Sequence, residues 1–215
     1  MRSKYKQHMK DSLTALVAIG TGIYITLPHN PLRQEDLQEI TRPVIETPYV
    51  KQEVPQSLSL DEMIVHNLRA LPQVPENPKY TDPNEANHPL YQITNPELQL
   101  TPNFKVKEFV TSGGRVQEYA RISPDIVLAM QQLRDTLGQP IVITSGYRCP
   151  ERNEAVGGSS KSRHMSGDAV DIDVKGMSPQ ALSEKVIEVL GEDIGLHTYA
   201  DGHVHVDLRG YKARW

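Results

Sequence analysis

The chain has 215 residues, of which 38% are hydrophobic and 6% aromatic, and 16 are proline. This length suits one substantial core with additional segments and argues against two large domains. The net charge of −4 argues against a protein that works by neutralising phosphate backbones, so we expect no nucleic-acid partner. The single cysteine, Cys149, provides neither an intrachain disulfide nor a thiolate zinc site, so a metal would need His and carboxylate ligands.

Residues 1–30 have the pattern of a membrane anchor or signal segment. Basic residues precede an uncharged apolar stretch, 13–27, whose 15 residues match a long signal-peptide core but fall short of a full membrane span. No Ala-x-Ala cleavage site follows, so we favour an uncleaved apolar helix as anchor, with a buried amphipathic helix as the weaker alternative. Because basic residues stay inside, the rest of the chain is expected outside the cytoplasm, on the periplasmic or cell-wall side.

Residues 31–102 have the composition of a linker. Between positions 28 and 102 lie 12 of the 16 prolines, and proline at this density favours extended, semi-rigid chain. A short helix is expected near 59–71, because Ser59 and Glu62 have the spacing of a capping box and apolar residues follow at helical intervals. So short a helix must dock on something, either its own domain or a partner.

The last segment, 103–215, has regular signals for helices and strands. Ser123 and Pro124 begin a predicted helix that Gly138 ends, and Ser178 and Pro179 begin a second one that ends at Gly191. A β-branched strand is expected between them, from Gln139 to Thr144.

Two further strands of this segment alternate strictly between apolar and polar residues. Their inward sets are Val170, Ile172 and Val174 on the first strand and Val204, Val206 and Leu208 on the second. Their outward sets are Asp171 and Asp173 on the first and His203, His205 and Asp207 on the second. The pattern predicts a small α+β domain with a mostly antiparallel sheet, helices on its apolar face and a metal site on the other face.

Imidazoles and carboxylates on one face of a sheet favour the binding of a metal ion there. His164 lies seven positions before Asp171, in a loop of small residues that can fold the imidazole over the strand. A His, an Asp and a second His would then take three corners of a tetrahedron and leave the fourth to water. Spacing alone does not choose between His203 and His205. Asp173 and Asp207, taken singly, are more typical of solvated surface than of a metal site.

Three ordered motifs resemble one known family. The run Ser162-Arg163-His164-Met165-Ser166-Gly167-Asp168-Ala169-Val170-Asp171 is similar to the Ser-x-His-x-x-Gly-x-Ala-x-Asp signature of the zinc D-alanyl-D-alanine peptidase superfamily. His203-Val204-His205 resembles its C-terminal His-x-His, and Ser145-Gly146-Tyr147-Arg148 with Asn153 resembles its upstream motif. The superfamily includes peptidoglycan carboxypeptidases, vancomycin-resistance dipeptidases, phage endolysins and the hedgehog signalling domain. The resemblance covers roughly residues 103–210.

The resemblance implies a set of roles, position by position. Zinc would be held by His164, Asp171 and His205. Arg148 would hold a substrate carboxylate or a developing oxyanion, since its planar fork suits either. Ser162 would lie beside the substrate, and His203 would stabilise the transition state or support the metal ligands.

The general base departs from the family pattern. Members commonly have an acid three residues before the last zinc His, where this chain has Gly202, and the nearest acid is Asp201. We expect Asp201 to serve, because Asp173 and Asp207 lie within strands and Asp171 is committed to the metal. Glycine at 202 supplies the backbone freedom that this requires.

The expected function is zinc-dependent hydrolysis of amide bonds in peptidoglycan stem peptides, in the manner of a carboxypeptidase or of an endopeptidase such as an endolysin. The alternative is a zinc-bearing module that binds peptidoglycan or a protein without cutting it, including a virion or envelope structural component. The missing acid at position 202 keeps this alternative open.

Overall fold

A computed structural model of the chain describes residues 15–19, 23–27 and 58–215. These residues fall into two units, and the boundary lies between positions 52 and 53. Each unit is considered by itself.

The described part of the N-terminal unit is a pair of antiparallel strands. Strands β1 (Ala15–Ile19) and β2 (Ile23–Leu27) pair antiparallel, with Ala15 opposite Leu27. The apolar helix predicted over this stretch is therefore wrong for these residues. Their β-branched side chains favour extended backbone, and the sequence has glycines at 20 and 22 between the two strands. In the part of the chain that the structure describes, no helix has both the length and the apolar character to cross a membrane.

Much of the predicted linker is folded. Its segment from 58 to 102 contains α1 (Leu60–Leu68), β3 (Gln73–Val74), a 3₁₀ turn (Pro78–Tyr80) and β4 (Leu90–Gln92). The prolines lie in turns and in the irregular connections between these elements. The Pro72 carbonyl accepts a hydrogen bond from the Gln92 backbone N–H at 2.9 Å. Buried leucines at 68, 71, 90 and 100 give the segment its place in the core. The remainder of that prediction, 31–57, lies outside the described residues.

The predicted short helix is confirmed, and it packs on its own domain. The Ser59 backbone N–H donates to the Glu62 carboxylate at 3.0 Å, as the capping box predicts. Ile64 and Leu68 are buried against α3 (Pro124–Leu137). The Asn67 side-chain amide also donates to the Leu100 carbonyl at 3.3 Å.

The C-terminal segment alternates short strands with helices. In chain order, besides α3, it contains α2 (Val106–Val110), β5 (Thr111–Ser112), β6 (Arg115–Val116), β7 (Tyr119–Arg121), β8 (Val142–Ser145), α4 (Pro150–Ala155), a 3₁₀ turn (Arg163–Met165), β9 (Ala169–Asp173), α5 (Pro179–Leu190), β10 (Gly195–Thr198), β11 (Val204–Asp207) and β12 (Ala213–Arg214). The predicted helix starts are confirmed: the Ser123 and Ser178 hydroxyls accept hydrogen bonds from the backbone N–H groups of Ile126 and Ala181.

Two sheets complete the α+β fold. The larger has the order β12-β10-β11-β9-β8-β5-β6, and all its pairs are antiparallel except β10 with β12. The smaller has the order β3-β4-β7 and joins the upstream segment to the domain. The predicted mostly antiparallel sheet is confirmed.

The register of β9 against β11 separates the two faces of the larger sheet. Asp171 lies directly opposite His205, and Val170 lies opposite Val206. The two valines are buried in the core that α3 and α5 share. Since side chains alternate along a strand, Asp171 and His205 lie together on the other face.

We predict that α1 contributes to the stability of the whole folded unit. Leu68→Ala should lower the free energy of unfolding by about 2–5 kcal/mol, because a buried leucine is lost and a cavity remains. Arg69→Ala, at the exposed neighbouring position, should change it by less than about 0.5 kcal/mol. Urea denaturation of the full chain with zinc present measures both. Equal effects of the two variants would contradict the packing of α1 on the core.

Candidate metal centre

Three donor side chains from three parts of the chain meet on the polar sheet face. His164 comes from the 3₁₀ turn, Asp171 from β9 and His205 from β11, and all three are buried. His164 Nε2 lies 3.2 Å from Asp171 Oδ1 and 3.1 Å from His205 Nδ1. The third side of this triangle, from His205 Nδ1 to Asp171 Oδ1, measures 2.9 Å.

This triangle fits a tetrahedral zinc. Ligand atoms at about 2.0 Å from a tetrahedral zinc lie about 3.3 Å from one another. The three observed separations, 2.9–3.2 Å, are close to that value. In the described part of the chain this is the group of His, Cys, Asp and Glu residues with the geometry to hold a metal.

In each histidine, the ring nitrogen that faces away from the centre donates a hydrogen bond to another protein group. Nδ1–H of His164 donates to the Gly146 carbonyl at 2.8 Å, and Nε2–H of His205 donates to Asp207 Oδ2 at 3.0 Å. Arg209 holds the Asp207 carboxylate in turn, through Nε at 2.7 Å. These contacts fix the tautomers that point a lone pair toward the centre.

The centre is electrostatically prepared for a cation. Burial opposes ionisation of Asp171, but its close contacts with the His164 and His205 rings hold the pKa of its carboxyl well below the usual range. Asp207 is likewise buried, and Arg209 and His205 keep its pKa low. Burial lowers the pKa of His164, which favours the neutral imidazole that binds metal.

Arg148 lies beside the predicted ligands. Its guanidinium forms an ion pair with Asp171 Oδ2, the oxygen that does not face the histidines, and its Nε donates to the Ser145 hydroxyl at 3.0 Å. Ser162 lies at the N-terminus of the 3₁₀ turn that carries His164. Both line the cleft above the metal centre, which has a volume of about 1060 Å³.

Asp201 and His203 line the same cleft and contact each other. Asp201 Oδ1 lies 2.6 Å from His203 Nδ1, and the ring of His203 stacks on Tyr199. Gly202 has φ +106, a conformation that favours glycine, and the turn is closed by backbone hydrogen bonds between Tyr199 and the residues at 202 and 203. With this backbone conformation an acid at position 202 would be strained, and the nearest carboxylate lies one position earlier, at Asp201.

The upstream segment also contributes to the site, which sequence reasoning missed. The Asn84 side-chain amide donates to the Ser162 carbonyl at 3.3 Å and to the Ser166 hydroxyl at 2.8 Å. The Ser166 hydroxyl itself donates to Asp82 Oδ1 at 2.7 Å. The signal available in the sequence was the cluster of turn-forming residues Thr81–Asn87, which is typical of loops but says nothing about a distant partner.

Comparisons with known proteins agree with this geometry. Residues 102–207 match the family model described as Peptidase M15. The zinc D-Ala-D-Ala carboxypeptidase of Streptomyces albus G is 32% identical over 103 residues, which cover 44% of this chain and 39% of that protein.

Family and donor set together indicate zinc as the cofactor. The family match covers the region that carries the three motifs, and with the curated relative it confirms the resemblance to the zinc D-alanyl-D-alanine peptidase superfamily. Residues 102–207 are thus similar to the Peptidase M15 family and to a zinc D-Ala-D-Ala carboxypeptidase.

Proposed function

We propose that the folded unit is a zinc metallopeptidase that hydrolyses amide bonds in peptidoglycan stem peptides. The observation that carries the proposal is the triangle of His164, Asp171 and His205 at the base of an open cleft with Arg148 beside it. The zinc D-Ala-D-Ala carboxypeptidase relative supports this substrate class. The alternative is a zinc module that binds peptidoglycan or a protein without cutting it.

The metal would be held by His164, Asp171 and His205. Bound zinc lowers the pKa of a water ligand to about 7 and polarises the scissile carbonyl. Asp207 and the Gly146 carbonyl keep both imidazoles oriented for this task.

Proton transfer is assigned to Asp201, with His203 as its hydrogen-bonded neighbour. The Asp201 side chain is 70% exposed at the cleft, so it reaches solvent and substrate without reorganisation of the core. A carboxylate there accepts a proton from the attacking water and delivers it to the leaving amine. His203 orients the carboxylate and adds positive charge near a developing oxyanion when it is protonated.

We predict that His205→Ala abolishes zinc binding, because the protein loses one of three ligands. His203→Ala is the matched control: it removes an imidazole two positions away on the same chain segment and should leave zinc at one equivalent. Metal analysis of the dialysed full chains measures both. If His205→Ala keeps stoichiometric zinc and His203→Ala loses it, the ligand set is wrong.

We predict that Asp201→Asn keeps zinc and lowers the rate of hydrolysis by about 10²–10⁴-fold, the usual contribution of a general base. Asp173→Asn makes the same change of charge at an exposed strand position and should leave the rate unchanged. Rates are measured on defined muropeptides, and mass spectrometry identifies the bond that is cut at the stem terminus or at a cross-link. An unchanged rate for Asp201→Asn would show that the base lies elsewhere.

The same assay separates catalysis from binding. If the zinc-loaded full chain binds muropeptides and leaves them intact at every time point, the chain is a binding module and the peptidase proposal is rejected.

We also propose that the folded unit lies outside the cytoplasm, tethered through residues 1–30 at a membrane. The basic residues before the apolar stretch 13–27 support this orientation. We predict that alkaline phosphatase fused after Trp215 is active in cells, because the enzyme needs export to fold. If the alkaline phosphatase fusion is inactive and a β-galactosidase fusion at the same position is active, this topology is rejected.

A further inference from the structure

Four arginines line the metal cleft, and one of them is unlike the others. Arg148, Arg163 and Arg209 form ion pairs with Asp171, Asp168 and Asp207, respectively. Arg152 forms none with any carboxylate in the described ranges. Its neighbour Glu151 lies 3.7 Å from Lys79 instead. Among the four arginines, and within the described residues, Arg152 is therefore the one without an ion pair to a carboxylate.

Arg152 is held in place by weak contacts that leave its charge available. It is half-buried on α4, and its Nε donates to the Ser112 hydroxyl at 3.4 Å. The side chain packs over Gly113, where an added Cβ would lie 2.1 Å from Arg152 Nη2. Glycine at 113 thus leaves the space that the guanidinium fills.

A line of hydrogen bonds connects Arg152 to the metal centre. Ser112 Oγ lies 3.2 Å from the Ser145 hydroxyl, which accepts from Arg148 Nε at 3.0 Å. Arg148 in turn contacts Asp171. Two serines therefore separate Arg152 from the arginine at the centre, which places both guanidinium groups on the floor of one cleft.

The cleft continues past Arg152. A second depression of about 590 Å³ shares Ser112, Gly113 and Arg152 with the first. Of the five exposed large apolar side chains among the described residues, four lie along these two depressions. Val156, Tyr211 and Trp215 line the metal cleft, and Val116 lines the second. Two adjoining depressions of this kind suit a substrate that extends several residues beyond the scissile bond.

From these observations we infer that Arg152 binds a free carboxylate of an extended, anionic peptide substrate, at a residue away from the scissile bond. Its planar fork forms two parallel hydrogen bonds to a carboxylate. Lys161, also on the cleft wall and unpaired within the described ranges, adds to the positive field. The effect of Arg152 on hydrolysis rests on the proposed function. Its effect on peptide binding does not depend on catalysis.

The test compares synthetic stem peptides in two forms that differ only at one internal group, a free carboxylate or its carboxamide. The zinc-loaded full chain should prefer the acid, with a kcat/KM about 10- to 100-fold higher than for the amide, as expected for a charge-assisted hydrogen bond. Arg152→Gln should remove this preference, because it lowers kcat/KM for the acid peptide and leaves that for the amide peptide unchanged. Arg152→Lys should keep part of it, and Arg134→Gln, which removes the same charge outside both clefts, should keep all of it.

Binding of the same peptides is measured by calorimetry, so the two proposals fail separately. If nothing is cut but the acid binds more tightly than the amide, and Arg152→Gln removes the difference, the peptidase proposal fails and the role of Arg152 holds. If the unmodified chain treats acid and amide alike in both assays, or if Arg152→Gln keeps the full preference, the role of Arg152 is overturned.

Discussion

The metal centre depends on the pairing of Asp171 with His205 across β9 and β11. A shift of one residue in this register would turn one of the two donors toward the apolar face. The register is held by burial, because Val170 and Val206 on the other face pack in the core with the helices. The same hydrophobic contacts that stabilise the fold therefore set the separation of two metal ligands.

Local signals in the sequence predicted the elements that carry these ligands. Alternation identified β9 and β11, and Ser-Pro starts identified α3 and α5, because period and capping are properties of neighbouring residues. Asp82 and Ser166 are 84 positions apart, and no local pattern reports so distant a hydrogen bond. The proline density of the upstream segment predicts a linker, and no local pattern there signals its contacts with the domain. At 13–27, an apolar run without a clear period did not distinguish helix from strand, and its β-branched residues form strands at 15–19 and 23–27.

The position of Asp201 illustrates how a turn modifies a motif. In the turn between β10 and β11, glycine has a positive φ at 202, the position where the resemblance leads one to expect an acid. The carboxylate lies one residue earlier and contacts His203. Motif spacing records the distance along the chain, whereas proton transfer depends on the distance through space, and the two differ wherever the turn changes shape.

The contacts around the loop that carries His164 have a consequence for metal exchange. The loop is tied to the sheet through the Gly146 carbonyl and through the Arg148 backbone N–H, which donates to the His164 carbonyl at 3.1 Å. Asp82 and Asn84 hold its other side. Because the protein's own hydrogen bonds order the donors, little chain entropy is lost when a metal enters. Departure of the metal by loop opening requires several of these bonds to break together, so the lifetime of the bound ion is governed in part by a segment far upstream in the chain.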